Sequence, residues 1–314
     1  MKRHTSRRRF LTMTAAFAAL PTLAVATQPV AEWRGTALGA GAFLRLVGLD
    51  DNQARDTFAA VEAELARLES IFSLYQEGSC LSRLNHTGRL AAPPLEMLAL
   101  LTLAGAIHAS TNGAFDPTIQ PLWALYARTR GQVPDKGLLD EARARTGWEK
   151  VRITAAEIAF AHPGMAITLN GIAQGYITDR VAQLLRGRGF DNVLVDMGEI
   201  AGLGQRDDMR PWHVGISTPD GRIVRRLALS DRALATSSPM GTVFDDDGSF
   251  GHILHPQHGV PKAARALVSV SADRAALADA LSTAFCIMND AEVATALEAH
   301  PTARLEMTRK LVRV

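Results

Sequence analysis

Apolar positions recur along this chain with two different periods, and the change from one to the other sketches a fold. Between residues 56 and 72, Phe58, Val61, Leu65 and Leu68 return every three or four places with charged side chains between them, which predicts an amphipathic helix. Residues 95–109, following Pro93-Pro94, read as a second helix, and residues 172–186 as a third. The alternation of small and apolar residues in GTALGAGAFLRLVGLD (35–50) predicts a strand, and the Ser-, Gly- and Asn-rich SLYQEGSCLSRLN (73–85) a loop. Gly113 and Pro117 break the pattern after the second helix, and residues 130–147 read as a polar connection carrying one short helix. Beyond Val151 the period shortens. Residues 166–169, 193–197, 214–216, 222–229, 243–244 and 252–254 read as short strands, with Asp245-Asp246-Asp247-Gly248 as a solvated hairpin turn. Helices mixed with many short, turn-linked strands predict an α+β fold of mixed, largely antiparallel sheets flanked by helices. No repeat or long linker divides residues 27–314, which are expected to form a single domain.

One apolar window breaks its own rule. In LADALSTAFCIM (277–288), Leu277, Leu281, Ala284, Phe285 and Met288 share one helical face, while Asp279, Ser282, Thr283 and Cys286 gather on the other. That second stripe has no Lys, Arg or Glu, so it faces something other than bulk water. A carboxylate with a hydroxyl four residues on presents two hard oxygens on one face, which suits Mg²⁺; a buried, hydrogen-bonded Asp is the alternative.

Composition matters mainly at the N-terminus. SRRRFLTMTAAFAALPTLAVA sets Arg7–Arg9 before a short Ala-rich apolar stretch and an Ala24-Val25-Ala26 cleavage pattern, which resembles a twin-arginine export signal over residues 1–26. The stretch is too short for a transmembrane anchor. The formal charge of the whole chain is +2, but the signal holds five of its 34 Lys and Arg and none of its 32 Asp and Glu. The remaining chain therefore carries −3, which gives no support to nucleic-acid binding. A periplasmic location follows as an expectation. Cys80 and Cys286 could pair there or be two buried thiols.

Two further stretches carry candidate chemistry. In ITLNGIAQGYITDRVAQLL an apolar run ends at Leu169, Asn170-Gly171 turns the chain, and a helix begins near Ile172; free N–H groups at such a start suit phosphate. The glycine spacings of nucleotide-binding loops are missing. In GHILHPQHG, His252, His255 and His258 recur every three residues, which invites zinc. Pro256 and Gly259 mark a turn, so the three rings need not converge, and a single histidine base is the stronger reading.

Taken together these pieces resemble the family of FAD:protein FMN transferases, the ApbE type, over nearly the whole chain after the signal. FSLYQEGSCLSRLN, GAFDPTIQPLW, TLNGIAQGYITDRVAQLL, LATSS, HILHPQHGVP and ADALSTAF stand in the family's order. The resemblance implies a fold related to the T-fold, with FAD as substrate and Mg²⁺ as cofactor. It places Mg²⁺ on Asp279, Thr283 and the backbone of Gly171. It places Tyr75, Ala114, Phe115, Asp116, Thr168, Gln174 and Leu254 around FAD, and makes His252 the base. It implies transfer of FMN to a Thr or Ser hydroxyl of a periplasmic or membrane-bound redox flavoprotein, with release of AMP. An Mg²⁺-dependent FAD pyrophosphatase and a non-enzymatic FAD carrier remain as alternatives. Thr168 stands where the family usually has an acidic residue, Gln174 where it has lysine, His255 where it has Asp, and Gly198-Glu199 where it has a glycine pair. The Gly-Ile-Ala-Gln-Gly-Tyr form is similar to members associated with nitrous-oxide respiration.

Overall fold

The computed structural model of the chain describes residues 28–248, 250–259 and 263–310. The expected export signal, residues 1–26, lies outside them. The first strand expected from the pattern is two. β1 (Val30–Ala37) and β2 (Ala40–Val47) form an antiparallel hairpin turned at Leu38 (φ 48°) and Gly39 (φ 82°). Two successive left-handed residues make the tight turn whose twist matches its strands. A leucine rarely occupies that conformation, so the apolar pattern runs through the turn without a break.

α1 (Asp51–Phe72) begins earlier than its periodicity suggests, because Asp50 and Gln53 form a reciprocal capping box. The expected loop at 73–85 contains α2 (Cys80–Thr87), started by the Ser79 hydroxyl accepting from Ser82 N and closed at Gly88 (φ 73°). It buries only Cys80, Leu81 and Leu84, too few apolar positions for a visible period. There follow β3 (Arg89–Ala91), α3 (Leu95–Ser110), α4 (Gln120–Arg128), α5 (Lys136–Ala144), β4 (Val151–Ile153), β5 (Glu157–Phe160) and α6 (Ala173–Gly187). The last part holds β6 (Val193–Asp196), β7 (Ile200–Leu203), β8 (Trp212–Ser217), β9 (Ile223–Leu229), β10 (Arg232–Ser237), β11 (Arg265–Ala272), α7 (Ala275–Phe285), α8 (Asp290–Ala299) and β12 (Arg304–Lys310).

The α+β expectation holds. Seven strands in the order β1-β2-β6-β7-β10-β11-β12 form one sheet, every neighbouring pair antiparallel. Side chains alternate across it. Val193 and Val195 of β6 join the main core with Leu65 and Leu68 of α1, Leu101 of α3, Ile177 of α6 and Leu281 of α7. Leu194 faces the other way, into a second cluster with Trp212, Val214 and Leu229 of the β8–β9 hairpin. With helices on one face and a hairpin on the other, central strands read as unbroken apolar runs. A third cluster joins Leu122, Leu125 and Tyr126 of α4 to Ala142 of α5 and Leu254, with Phe244 and Phe250 packed against it.

Three expected strands are irregular backbone. Residues 166–169 belong to no sheet; the Asn85 side chain of α2 takes the place of a neighbouring strand. Its amide donates to Ile167 O and accepts from Ile167 N, both at 2.8 Å. Residues 243–244 and 252–254 are likewise outside the strands, Val243 making only an isolated bridge with Gly251 that encloses the 245–248 turn. Cys80 and Cys286 are both buried and unpaired. No helix among the described residues is long and apolar enough to cross a membrane.

Candidate active site

The site grows from the contact of α6 with α7. α6 starts at Ile172 with no side-chain cap of its own. Asp279 of α7 supplies one, its Oδ2 accepting from Gly175 N at 3.2 Å. The reverse also holds: α7 has no local cap, and Asp179 of α6 accepts from Ala275 N (2.7 Å) and Ala276 N (3.0 Å). Glycine at 175 is what permits this approach, since a Cβ there would lie 2.4 Å from Ala275 O. The polar stripe of α7 is thus buried against another helix, with Asp279 only 3% exposed.

One turn on, the Thr283 hydroxyl meets the turn before α6. A Cβ on Gly171 would come within 3.0 Å of Thr283 Oγ1, so the absence of a side chain leaves backbone and hydroxyl facing each other. Asp279, Thr283 and Gly171 all line one cavity of about 680 Å³. Among the described residues no group of three or more His, Cys, Asp and Glu side chains is set to hold a metal. A cation here would rest on one carboxylate, one hydroxyl and one carbonyl, leaving positions for water and substrate phosphate. That donor set fits Mg²⁺, which keeps several waters, and not a soft or closed-site metal.

Burial governs the electrostatics of this cavity. It pushes Asp279 up to about 7, against the opposing pull of the Gly175 N–H. Asp196, at the end of β6, also lines the cavity and is raised by burial to about 6, although its Oδ1 accepts from Gly198 N at 3.1 Å. Glu199 is raised well above the carboxylate range by burial, then by the charges of Asp279 and Asp196. Asp116 is raised by burial as well. Against these four acids, Arg34 is the one Lys or Arg lining the cavity among the described residues, with its guanidinium 4.8 Å from the centre of the Phe43 ring. Such a cavity is poorly suited to a diphosphate unless a cation enters with it.

His252 lines the same cavity. Its Nδ1 is 3.1 Å from Pro239 O and 3.0 Å from Thr242 O, two groups that only accept. The proton therefore sits on Nδ1, and Nε2 keeps its lone pair. Burial lowers the ring's pKa, which favours the neutral form. His255 and His258 pair with each other, ring centres 4.1 Å apart, while His252 turns to its two carbonyls. Leu254 lines the cavity and is anchored in the α4–α5 cluster.

The remaining expected residues divide unevenly. Ala114, Phe115, Asp116, Thr168 and Gln174 line the same cavity, so ten of the eleven residues expected at the site meet there. Asp116 also caps the next turn, accepting from Thr118 N at 2.8 Å and Thr118 Oγ1 at 2.6 Å. Gln174 lies against Gly198 (φ 101°), where a Cβ would come within 2.6 Å of its amide. Tyr75 is the exception: it is exposed and lines a neighbouring groove with Arg83, Asn85 and Arg145. Its hydroxyl bonds Asn170, which lines the main cavity, so the two spaces share a wall. Sequence reasoning passed over Arg34, Phe43 and Asp196 as site residues. Asp196 had a signal, a lone carboxylate closing the apolar run Val193-Leu194-Val195.

Fold and site define an α+β protein in which a cradle for a hard cation and a neutral histidine line one cavity. Residues 39–306 match the ApbE family, and the chain belongs to it. It is 30% identical over 288 residues to the FAD:protein FMN transferase of Treponema pallidum (strain Nichols), covering 82% of this chain and 79% of the relative. It is also 30% identical over 260 residues to the enzyme of that name from Vibrio cholerae serotype O1 (strain ATCC 39541), covering 79% and 77%. Among solved structures, the flavin transferase ApbE from Vibrio cholerae superposes with a TM-score of 0.76 at 27% identity, over 87% of this chain and 91% of that one. The ApbE protein of Thermotoga maritima gives 0.75 at 29%, over 88% and 93%.

Proposed function

We propose that this chain is an Mg²⁺-dependent FAD:protein FMN transferase acting on an exported redox flavoprotein. The observation that carries the reading is the meeting of Asp279, Thr283 and Gly171 with His252 in one 680 Å³ cavity. FAD occupies that cavity, lined by Ala114, Phe115, Asp116, Thr168, Gln174 and Leu254, with Tyr75 on the adjoining groove. Mg²⁺, when bound, neutralises the diphosphate and its leaving group. His252 Nε2 accepts the proton of a Thr or Ser hydroxyl on the acceptor. The hydroxyl oxygen forms a new bond to the FMN-side phosphorus, the P–O–P bridge breaks, and AMP departs with the bridging oxygen. FMN remains on the acceptor as a phosphoester. His252 sits where the Nδ1–H bonds to Pro239 O and Thr242 O hold it neutral and aimed as a base.

The test is one incubation of the protein with FAD, Mg²⁺ and an acceptor flavoprotein. Flavinylated acceptor plus AMP supports the transferase; FMN plus AMP without labelled acceptor makes it a pyrophosphatase; unchanged FAD makes it a carrier. For location, we propose export through Arg7–Arg9 and cleavage after Ala26. Replacing Arg7–Arg9 with Lys should leave precursor in the cytoplasm, and normal periplasmic yield from that variant would refute the twin-arginine route.

A further inference from the structure

Behind Thr283 stands a chain of hydroxyls whose direction can be read from its far end. Ser282, wholly buried on α7, has its Oγ 2.9 Å from Asp279 O. A carbonyl only accepts, so the single Ser282 proton is committed there. The Ser237 hydroxyl at the end of β10 lies 2.7 Å from Ser282 Oγ, and with Ser282 already donating, Ser237 must be the donor in that bond. Ser237 Oγ is in turn 3.2 Å from Thr283 Oγ1. Its own proton is spent on Ser282, so Thr283 donates to Ser237. Each hydroxyl has one proton, and the sequence Thr283 to Ser237 to Ser282 to Asp279 O uses all three.

We infer that Ser237 and Ser282 are positioning residues that fix the polarity of the Thr283 hydroxyl, turning its proton away from the cavity and its lone pairs toward it. The inference rests on the cation reading above and deepens it. Thr283 is then an obligate acceptor: it attracts a cation and offers no donor to a phosphate oxygen. Asp279 is bound into the same device from both ends, since its carboxylate faces the cavity while its carbonyl terminates the chain. Ser282 never reaches the cavity and acts only through Ser237, whereas Ser237 lines it.

The experiment measures FAD retained by the protein in equilibrium dialysis over a Mg²⁺ series, with thermal melts alongside. Ser237→Ala removes the acceptor for the Thr283 proton and should raise half-saturating Mg²⁺ by about tenfold. Ser282→Ala should raise it too, because the freed Ser237 proton can turn back onto Thr283. The double variant should match Ser237→Ala alone, the non-additivity expected if one residue works through the other. Ser237→Thr keeps the hydroxyl and should stay near the parent. Wild-type Mg²⁺ curves in both alanine variants, whatever their melting temperatures, overturn the inference. Should Ser282→Ala fail to fold, Ser237→Ala against Ser237→Thr decides. Asp279→Asn separates the two levels: it should abolish the Mg²⁺ dependence, and a wild-type curve from it overturns the cation reading itself.

Discussion

Asp279→Asn should make the metal-free protein more stable while destroying the site. The substitution preserves shape and leaves an oxygen to accept from Gly175 N; what it removes is a charge that burial disfavours. Asp279 moves from its ordinary value of 3.8 to about 7 in the folded protein. The native state therefore holds this proton more tightly than the unfolded chain does. Below pH 4 both states are protonated and nothing is lost; as pH rises toward 7 the unfolded chain ionises first and the native state loses stability relative to it; above 7 the loss is complete. A shift of three units corresponds to about 4 kcal/mol, an upper bound near pH 8, with less than half of it present at pH 5. Asn avoids that cost. Urea melts of EDTA-treated protein at pH 5 and pH 8 should show the variant gaining on the parent, more at the higher pH. Adding Mg²⁺ should raise the parent's midpoint and leave the variant's unchanged. A variant less stable than the parent at pH 8 without metal would refute the reasoning, because Asp279 would then be an ion that the fold itself requires.

His252→Asn should slow single-turnover transfer at saturating FAD by roughly two to four orders of magnitude with FAD affinity retained. Because burial lowers this imidazole's pKa, the acid limb of the rate profile should fall below pH 6.5, and a limb above that value speaks against His252 as the base. Arg34→Ala removes a guanidinium from the cavity lining and should weaken FAD binding by about 3–10-fold at low salt, with the difference shrinking as salt is added. An unchanged Kd by fluorescence titration excludes that contact. Gly175→Ala forces a Cβ onto Ala275 O and should cost ~1–3 kcal/mol by chemical denaturation, together with the Mg²⁺ response.

What the sequence revealed and what it hid follow from the range of the interactions involved. The helices at 51–72, 95–110 and 173–187 announce themselves because their burial is one-sided over many turns. The stripe of Asp279, Ser282 and Thr283 was legible for the same reason: polar side chains without neighbouring charges imply a buried partner. The hairpin at Leu38-Gly39 was not legible, since its turn uses an apolar residue in an uncommon conformation. The segment at 166–169 looks like a strand because it is extended and apolar. Its partner is the Asn85 amide more than 80 residues away, which no local pattern encodes. Asp179 as the cap of α7, and the crowding of Asp196 and Glu199 around Asp279, likewise exist only once distant segments meet. Tyr75 shows the opposite failure, a motif residue that the fold sets on the adjoining groove.

The exchange of carboxylates between α6 and α7 makes the register of two helices the ruler of the site. A shift of either helix by one residue would uncap both helix starts at once, leave two carboxylates without their N–H partners and carry Thr283 away from Gly171. No intermediate alignment satisfies one half of the exchange alone, so the spacing of the donor oxygens is either right or lost with the packing of the core. The tolerance of the site is thereby set by the packing of two rigid helices.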